Sequence, residues 1–318
     1  MSGHVMGLVA GLVNGQVPGV VSDVSWHDLF NFSDYGQLVP LVHDSLIAGA
    51  VLGVLGGVIG VLVITRDLPF AVHGISELSF AGAAAALLLG VSVVPGSLAG
   101  SVLAALVIGL LGNRARDRNS VIGVLMPFGL GLGILFLALY KGRAANKFGL
   151  LTGQIVAVDS TNLRALVVTA VLVLVVLMVI WRPLMFASVD TEVAAARGVP
   201  IRLLGPVFMV LLGCVVALSV QIVGALLVLA LLVTPAAAAL RVTASPVLVV
   251  VLSVVFATTA SVGGIFVALG TAIPISPYVT TISFLIYLGC RLVGWLKARR
   301  AGSVRLAPVG LDPEPTSA

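Results

Sequence analysis

Charge is what this chain has least of. Only 9% of its residues are Asp, Glu, Lys or Arg, against 60% hydrophobic, and the mean hydropathy is +1.22. Soluble domains carry about 25% charged residues, so that class is excluded. Cysteine is almost missing as well. Cys214 and Cys290 both lie in apolar runs, where a small buried hydrophobe is the reading rather than a disulfide or a metal centre. No Gly-x-x-x-x-Gly-Lys-Ser/Thr phosphate loop occurs, so the chain is not its own P-loop ATPase. Neither a Cys/His cluster with zinc-finger spacing nor a Ser/His/Asp set stands out, and no enzyme activity is expected. No internal repeat is visible, which argues against a repeat-built secondary transporter. Met1 to Val21 contain no Lys or Arg and are interrupted by Asn14, Gln16 and Pro18, unlike a signal peptide. The net charge of +5 matters through its placement between spans and does not point to nucleic acid.

What is present is a series of apolar runs long enough to cross a bilayer. The expected fold is all-α, a polytopic transmembrane bundle in the lipid bilayer. Residues 1–37 carry Trp26, Phe30, Phe32 and Tyr35 and suit an interfacial or disordered lead-in. The membrane domain is expected over 38–296 and a basic, disordered tail over 297–318. Spans are expected at about Leu38–Ile64, Gly74–Val91, Gly96–Leu111, Val121–Tyr140, Leu166–Phe186, Val247–Leu269 and Tyr278–Trp295. Residues 201–241 are long enough for two more, meeting near Ser219–Gly224. That makes about nine spans, or eight if a shorter run only dips into the membrane. Gly49-x-x-x-Gly53, Gly56-x-x-x-Gly60 and Gly96-x-x-x-Gly100 read as close helix packing. A basic tail on the inside puts Arg241, residues 188–200 and the 113–118 loop inside too, in line with the positive-inside rule. The cluster Lys141, Arg143 and Lys147 then falls outside, against it.

Within the apolar runs ionisable side chains are nearly absent, except at His73 and Glu77. Four residues apart, they share one helix face. A charge at mid-bilayer costs about 2.5–3.5 kcal/mol on the mild insertion scales, so it persists only with a partner, a water cavity or an ion. Imidazole and carboxylate are also first-row metal ligands. A protonated Glu77 bonded to a neighbouring helix, with His73 near the interface, is the alternative. His43 and Asp44 open the first span. Neighbours in sequence point about 100° apart on a helix, a poor chelate; a pore mouth and a solvated helix end both remain readings. Residues 188–200 read as a short amphipathic helix, with Asp190 as N-cap, Glu192 in the first turn, Gly198 past the end and Pro200 as a stop.

Several stretches carry a family resemblance. Asp190-Thr-Glu-Val-Ala-Ala-Ala-Arg-Gly198 matches an Asp-x-Glu-Phe-Ala-x-Ala-x-Gly pattern. Residues 223–239 match a Val-Gly, Leu-Leu, Pro-Ala-Ala run. Lys147 to Ile155 resembles a Leu-Phe-Gly-containing segment, and Arg66 to Gly82 an Arg-containing turn followed by a helix with two ligand-type residues and a Gly. Over about 38–296 the chain resembles the ZnuB/MntB-like membrane permeases of bacterial zinc and manganese ABC importers. The family usually has Asp and then His four residues on; here His73 and Glu77 reverse that order.

The resemblance implies a transport subunit in the bacterial plasma membrane with a cytoplasmic C-terminus. Its partners would be a second copy of itself, a separate cytoplasmic ABC ATPase and an extracytoplasmic metal-binding protein. Asp190, Glu192, Ala194, Ala196 and Gly198 would form the coupling helix that docks on the ATPase. No tightly bound cofactor is implied; a divalent metal, zinc or manganese, would be cargo. Two copies of His73 and Glu77 would then supply four N/O ligands, and neutral imidazole being the ligand form, transport is expected to weaken as His73 protonates. The competing class is a stand-alone divalent-cation channel or proton-coupled carrier, needing no ATPase and no docking helix. A scaffold without transport is the third.

Overall fold

A computed structural model describes residues 39–111, 115–142, 149–150, 160–270 and 274–302. The lead-in over 1–37, Arg143, most of Lys147–Ile155 and residues 303–318 lie outside the described residues. Among the described residues every element is helical. A 3-10 turn, Val39–Val42, leads into α1 (His43–Thr65), followed by α2 (Pro69–Leu89), α3 (Val93–Leu111), α4 (Ala115–Leu139) and α5 (Ser160–Val189). The short α6 (Thr191–Ala196) precedes α7 (Ile201–Val223). A 3-10 turn, Ala225–Leu227, and two short helices, α8 (Val228–Leu232) and α9 (Thr234–Val242), lead to α10 (Pro246–Leu269) and α11 (Ile275–Gly302). Eight of these helices are long and apolar enough to cross a membrane, the lower of the two counts the sequence pattern allows.

The second half of 201–241 differs from a plain span. Gly224 turns at φ +87, a conformation glycine adopts freely. Pro235, in the first turn of α9, has no N–H to continue the ladder from α8. The broken segment nevertheless runs the length of the bundle. At its start, the Ser276 hydroxyl donates to the Val223 carbonyl at 2.8 Å. At its finish, the Lys297 ammonium donates to the Val242 carbonyl at 3.3 Å. Val242 lies at the same end as Arg66, because Val61, Ala236, Ala239 and Val249 pack in one cluster. Arg118, Arg197, Arg202 and Arg241 gather at this end as well, and it is called the basic end below.

α1, α2 and α7 have 61–67% of their spans buried, whereas α4, α5 and α11 have 17–22%. The first three form the core and the others the rim, where Leu172, Met178 and Leu285 stand exposed. In a bilayer such side chains meet lipid, so helix association rests on close packing and small residues. Gly49, Gly53 and Gly57 form the seam of α1 against α10, and Gly56 and Gly60 the seam against α8. A Cβ on Gly53 would lie 2.5 Å from the Thr258 Cα, and one on Gly57 would fall on the Val254 backbone. The Ser253 hydroxyl crosses this seam to the Gly57 carbonyl at 2.8 Å. Gly57→Ala must therefore push α1 from α10, an overpacking cost of about 1–3 kcal/mol. Its melting temperature in detergent should fall by several degrees, whereas Gly131→Ala, with open space around its Cβ, should melt as the parent does. Equal melting of the two variants would remove the seam.

α2 begins five residues before the expected Gly74. Pro69 stands in its first turn, where the missing N–H is one of the groups a helix start leaves unpaired anyway. Gly90 ends it at φ 72. His73 is thus the fifth and Glu77 the ninth of 21 residues, so Glu77 lies near the middle of the helix. α11 likewise runs past Trp295 to Gly302. Cys214 and Cys290 are both free.

Candidate functional site

α2 is held by close glycine contacts away from the stripe that bears His73 and Glu77. Gly82 meets Gly96 and Gly100 of α3, backbone against backbone. Gly129 lets α4 ride over Glu77, where a Cβ would come within 3.0 Å of the Glu77 carbonyl carbon. The Ser79 and Ser97 hydroxyls are 2.7 Å apart in the buried α2–α3 contact, and Ser97 donates onward to the Ala217 carbonyl of α7 at 3.4 Å. These serines were not singled out by sequence pattern, because a lone serine in an apolar run has no periodic signature.

Phe70, His73 and Glu77 follow one another at i, i+3 and i+7 on a single stripe. Phe70 is 69% exposed, the His73 side chain 27% and the Glu77 side chain 5%. The stripe therefore starts open at the basic end and closes toward mid-helix. His73 Nε2 stands 3.7 Å from Glu77 Oε1, too far for a hydrogen bond. Zinc–nitrogen bonds of about 2.0–2.1 Å and zinc–oxygen bonds of about 2.0–2.2 Å span such a gap with a bent N–metal–O angle. His73 Nδ1 is buried without a hydrogen-bond partner. Among the described residues no group of three or more His, Cys, Asp or Glu gathers. One chain thus offers two ligand atoms where a closed site needs about four.

His43 and Asp44 sit far from this pair, at the end opposite the basic one. Their side chains are 3.7 Å apart and 72% and 41% exposed.

α6 forms where the sequence predicts it, though shorter. The Asp190 carboxylate accepts from the Val193 N–H at 2.9 Å, and Gly198 turns the chain at φ +81. Ala194 is buried, while Asp190, Glu192, Ala196 and Gly198 are exposed. Val189 and Val193 add exposed apolar surface beside them. A residue the sequence reading left without a role, Arg66, lies just before α2. Its guanidinium donates to the Ser188 hydroxyl at 3.1 Å and stacks over Phe208, 5.5 Å from the ring centroid. Burial, and after it the neighbouring Arg118 charge, push Arg66 below the ordinary arginine value.

Eight helices long and apolar enough to cross a membrane, packed around a core helix with an imidazole and an acid on one stripe, fit the class of polytopic membrane proteins. Residues 39–294 match the model of the ABC 3 transport family, and the chain belongs to that family. Among its relatives is the manganese transport system membrane protein MntC of Halalkalibacterium halodurans, 29% identical over 226 residues, 71% of this chain and 77% of that one. The high-affinity zinc uptake system membrane protein ZnuB of Haemophilus influenzae is 25% identical over 232 residues, 72% of this chain and 88% of that one. Among solved structures, PsaBC from Streptococcus pneumoniae in complex with a Fab superposes with a TM-score of 0.74 at 26% identity, covering 84% of this chain and 99% of that one. The resemblance to zinc and manganese permeases and the all-α polytopic fold both hold.

Proposed function

We propose that this chain is the membrane subunit of an ATP-driven importer for a divalent transition metal, manganese or zinc. The carrying observation is the His73–Glu77 pair, a nitrogen and an oxygen 3.7 Å apart on a core helix. Two copies about a two-fold axis would bring four such ligands to one pathway, since a symmetric dimer repeats every contact. Imidazole suits zinc and carboxylate suits manganese, so the pair serves either ion. The basic end faces the cytoplasm in this reading, as the positive-inside rule requires. The exposed α6 then meets a separate ATPase, and a binding protein delivers metal to the opposite end. ATP binding would move α6 and switch access to the pair. A stand-alone channel or proton-coupled carrier has no use for α6, which weighs against it.

Elemental analysis of cells with and without the gene tests this reading. In zinc-poor or manganese-poor medium the deletion strain should hold several-fold less of one metal, and the intact chain should copurify with an ATPase. Equal metal content in both media, with no ATPase retained, would end the importer reading.

A further inference from the structure

The turn between α1 and α2 is held from several sides at once. Arg66 donates to Ser188 at the end of α5, two residues before the Asp190 cap of α6. It stacks on Phe208, a fully buried side chain of α7. Arg118, near the start of α4, donates to the Asp67 carbonyl at 3.3 Å. Asp67 itself stands at φ 54, a left-handed conformation that costs a non-glycine residue energy and leaves the turn little freedom. Leu68 follows, buried, with its N–H donating to the Val63 carbonyl at 2.9 Å. Next comes Pro69, the first residue of α2.

From α6 to the ligand pair the route is therefore short. Ser188 donates to the Leu184 carbonyl at 2.7 Å within α5, and Thr191, the first residue of α6, donates to the Ala187 carbonyl at 3.0 Å, which fastens α6 to the end of α5. A shift of α6 pulls on Ser188, Ser188 on Arg66, and Arg66 on a rigid turn that opens α2. His73 lies four residues into that helix. Hydrogen bonds to a charged group are the stronger kind, and partial burial shields this one from water. We propose that Arg66 is a positioning residue: through Ser188 it carries the movement of α6 to the helix that bears His73 and Glu77. This rests on the permease reading above and names the joint within it.

The test uses the full permease with its ATPase in proteoliposomes, supplied with manganese or zinc. ATP hydrolysis and metal uptake are measured together. Ser188→Ala removes the acceptor with little change in volume, and Ser188→Thr restores a hydroxyl. Ser188→Ala should lower metal taken up per ATP about tenfold, as loss of one charged hydrogen bond would, while ATPase assembly, basal hydrolysis and metal affinity stay at parental values. Ser188→Thr should recover uptake, and Arg66→Ala combined with Ser188→Ala should be no worse than Arg66→Ala alone. A coupled parent complex with unchanged uptake per ATP in Ser188→Ala would overturn the joint and leave the permease reading standing. Additive losses in the double variant would overturn it as well. A parent complex that moves neither metal would overturn the permease reading, and the joint with it.

Discussion

Glu77→Gln should abolish metal uptake while the protein inserts and folds as before. The change keeps the shape of the side chain and removes the anion that offsets a cation's charge where water is scarce. Loss of a group that merely orients a ligand costs about 10–100-fold in affinity or activity, so loss of a ligand should cost at least the upper end of that range. His73→Ala should do the same by removing the nitrogen. Among the described contacts neither side chain ties α2 to another helix by a hydrogen bond: His73 Nδ1 has no partner, and Glu77 pairs with the imidazole of its own helix at 3.7 Å. Glu77→Gln conserves the side-chain volume, the kind of swap a packed site tolerates best, so its melting temperature should stay close to that of the parent. Radioactive manganese or zinc uptake beside a detergent melt separates the two effects. Normal uptake in both variants would end the ligand assignment.

Gly198→Val together with Asp190→Ala should separate ATP hydrolysis from transport. α6 has six residues, and isolated helices below about 12–15 residues are marginal in water. Its shape therefore rests on its ends. The Asp190 cap is worth about 0.5–2 kcal/mol. Gly198 at φ +81 becomes strained by about 1–2 kcal/mol once it carries a Cβ, and more when that carbon is branched. Space is not the obstacle, since nothing lies within 4 Å of a Cβ there; the backbone angle is. With both ends lost the helix should fray, and the ATPase should either fail to copurify or hydrolyse ATP without moving metal. A variant that assembles and transports as the parent does would remove the docking role from α6.

The fold was largely legible because its determinants are local. Long apolar runs, capping residues and small-residue spacings mark the helices, and the Asp190 to Gly198 helix is set by its two ends. The errors lie where a proline has two uses. Pro69 starts α2 five residues ahead of the expected Gly74, which carries Glu77 from the first turns of a span to near its middle. Gly224 turns the chain where the two segments of 201–241 were expected to meet, but Pro235 divides the second of them, a break that hydropathy does not register because it counts apolar side chains and ignores backbone angles. Of the candidate site, the His73–Glu77 pair was visible as two rare residues four apart. The Arg66–Ser188 contact was not, since its partners are 122 residues apart and only the bundle brings them together.

Anomalous diffraction from the assembled transporter with manganese or zinc bound gives the most direct test of the central claim. A metal peak should appear within about 2.0–2.5 Å of His73 nitrogen and Glu77 oxygen, on the two-fold axis and touched by both copies. A peak elsewhere, with these two side chains turned to lipid or walled off from the passage, would contradict the account.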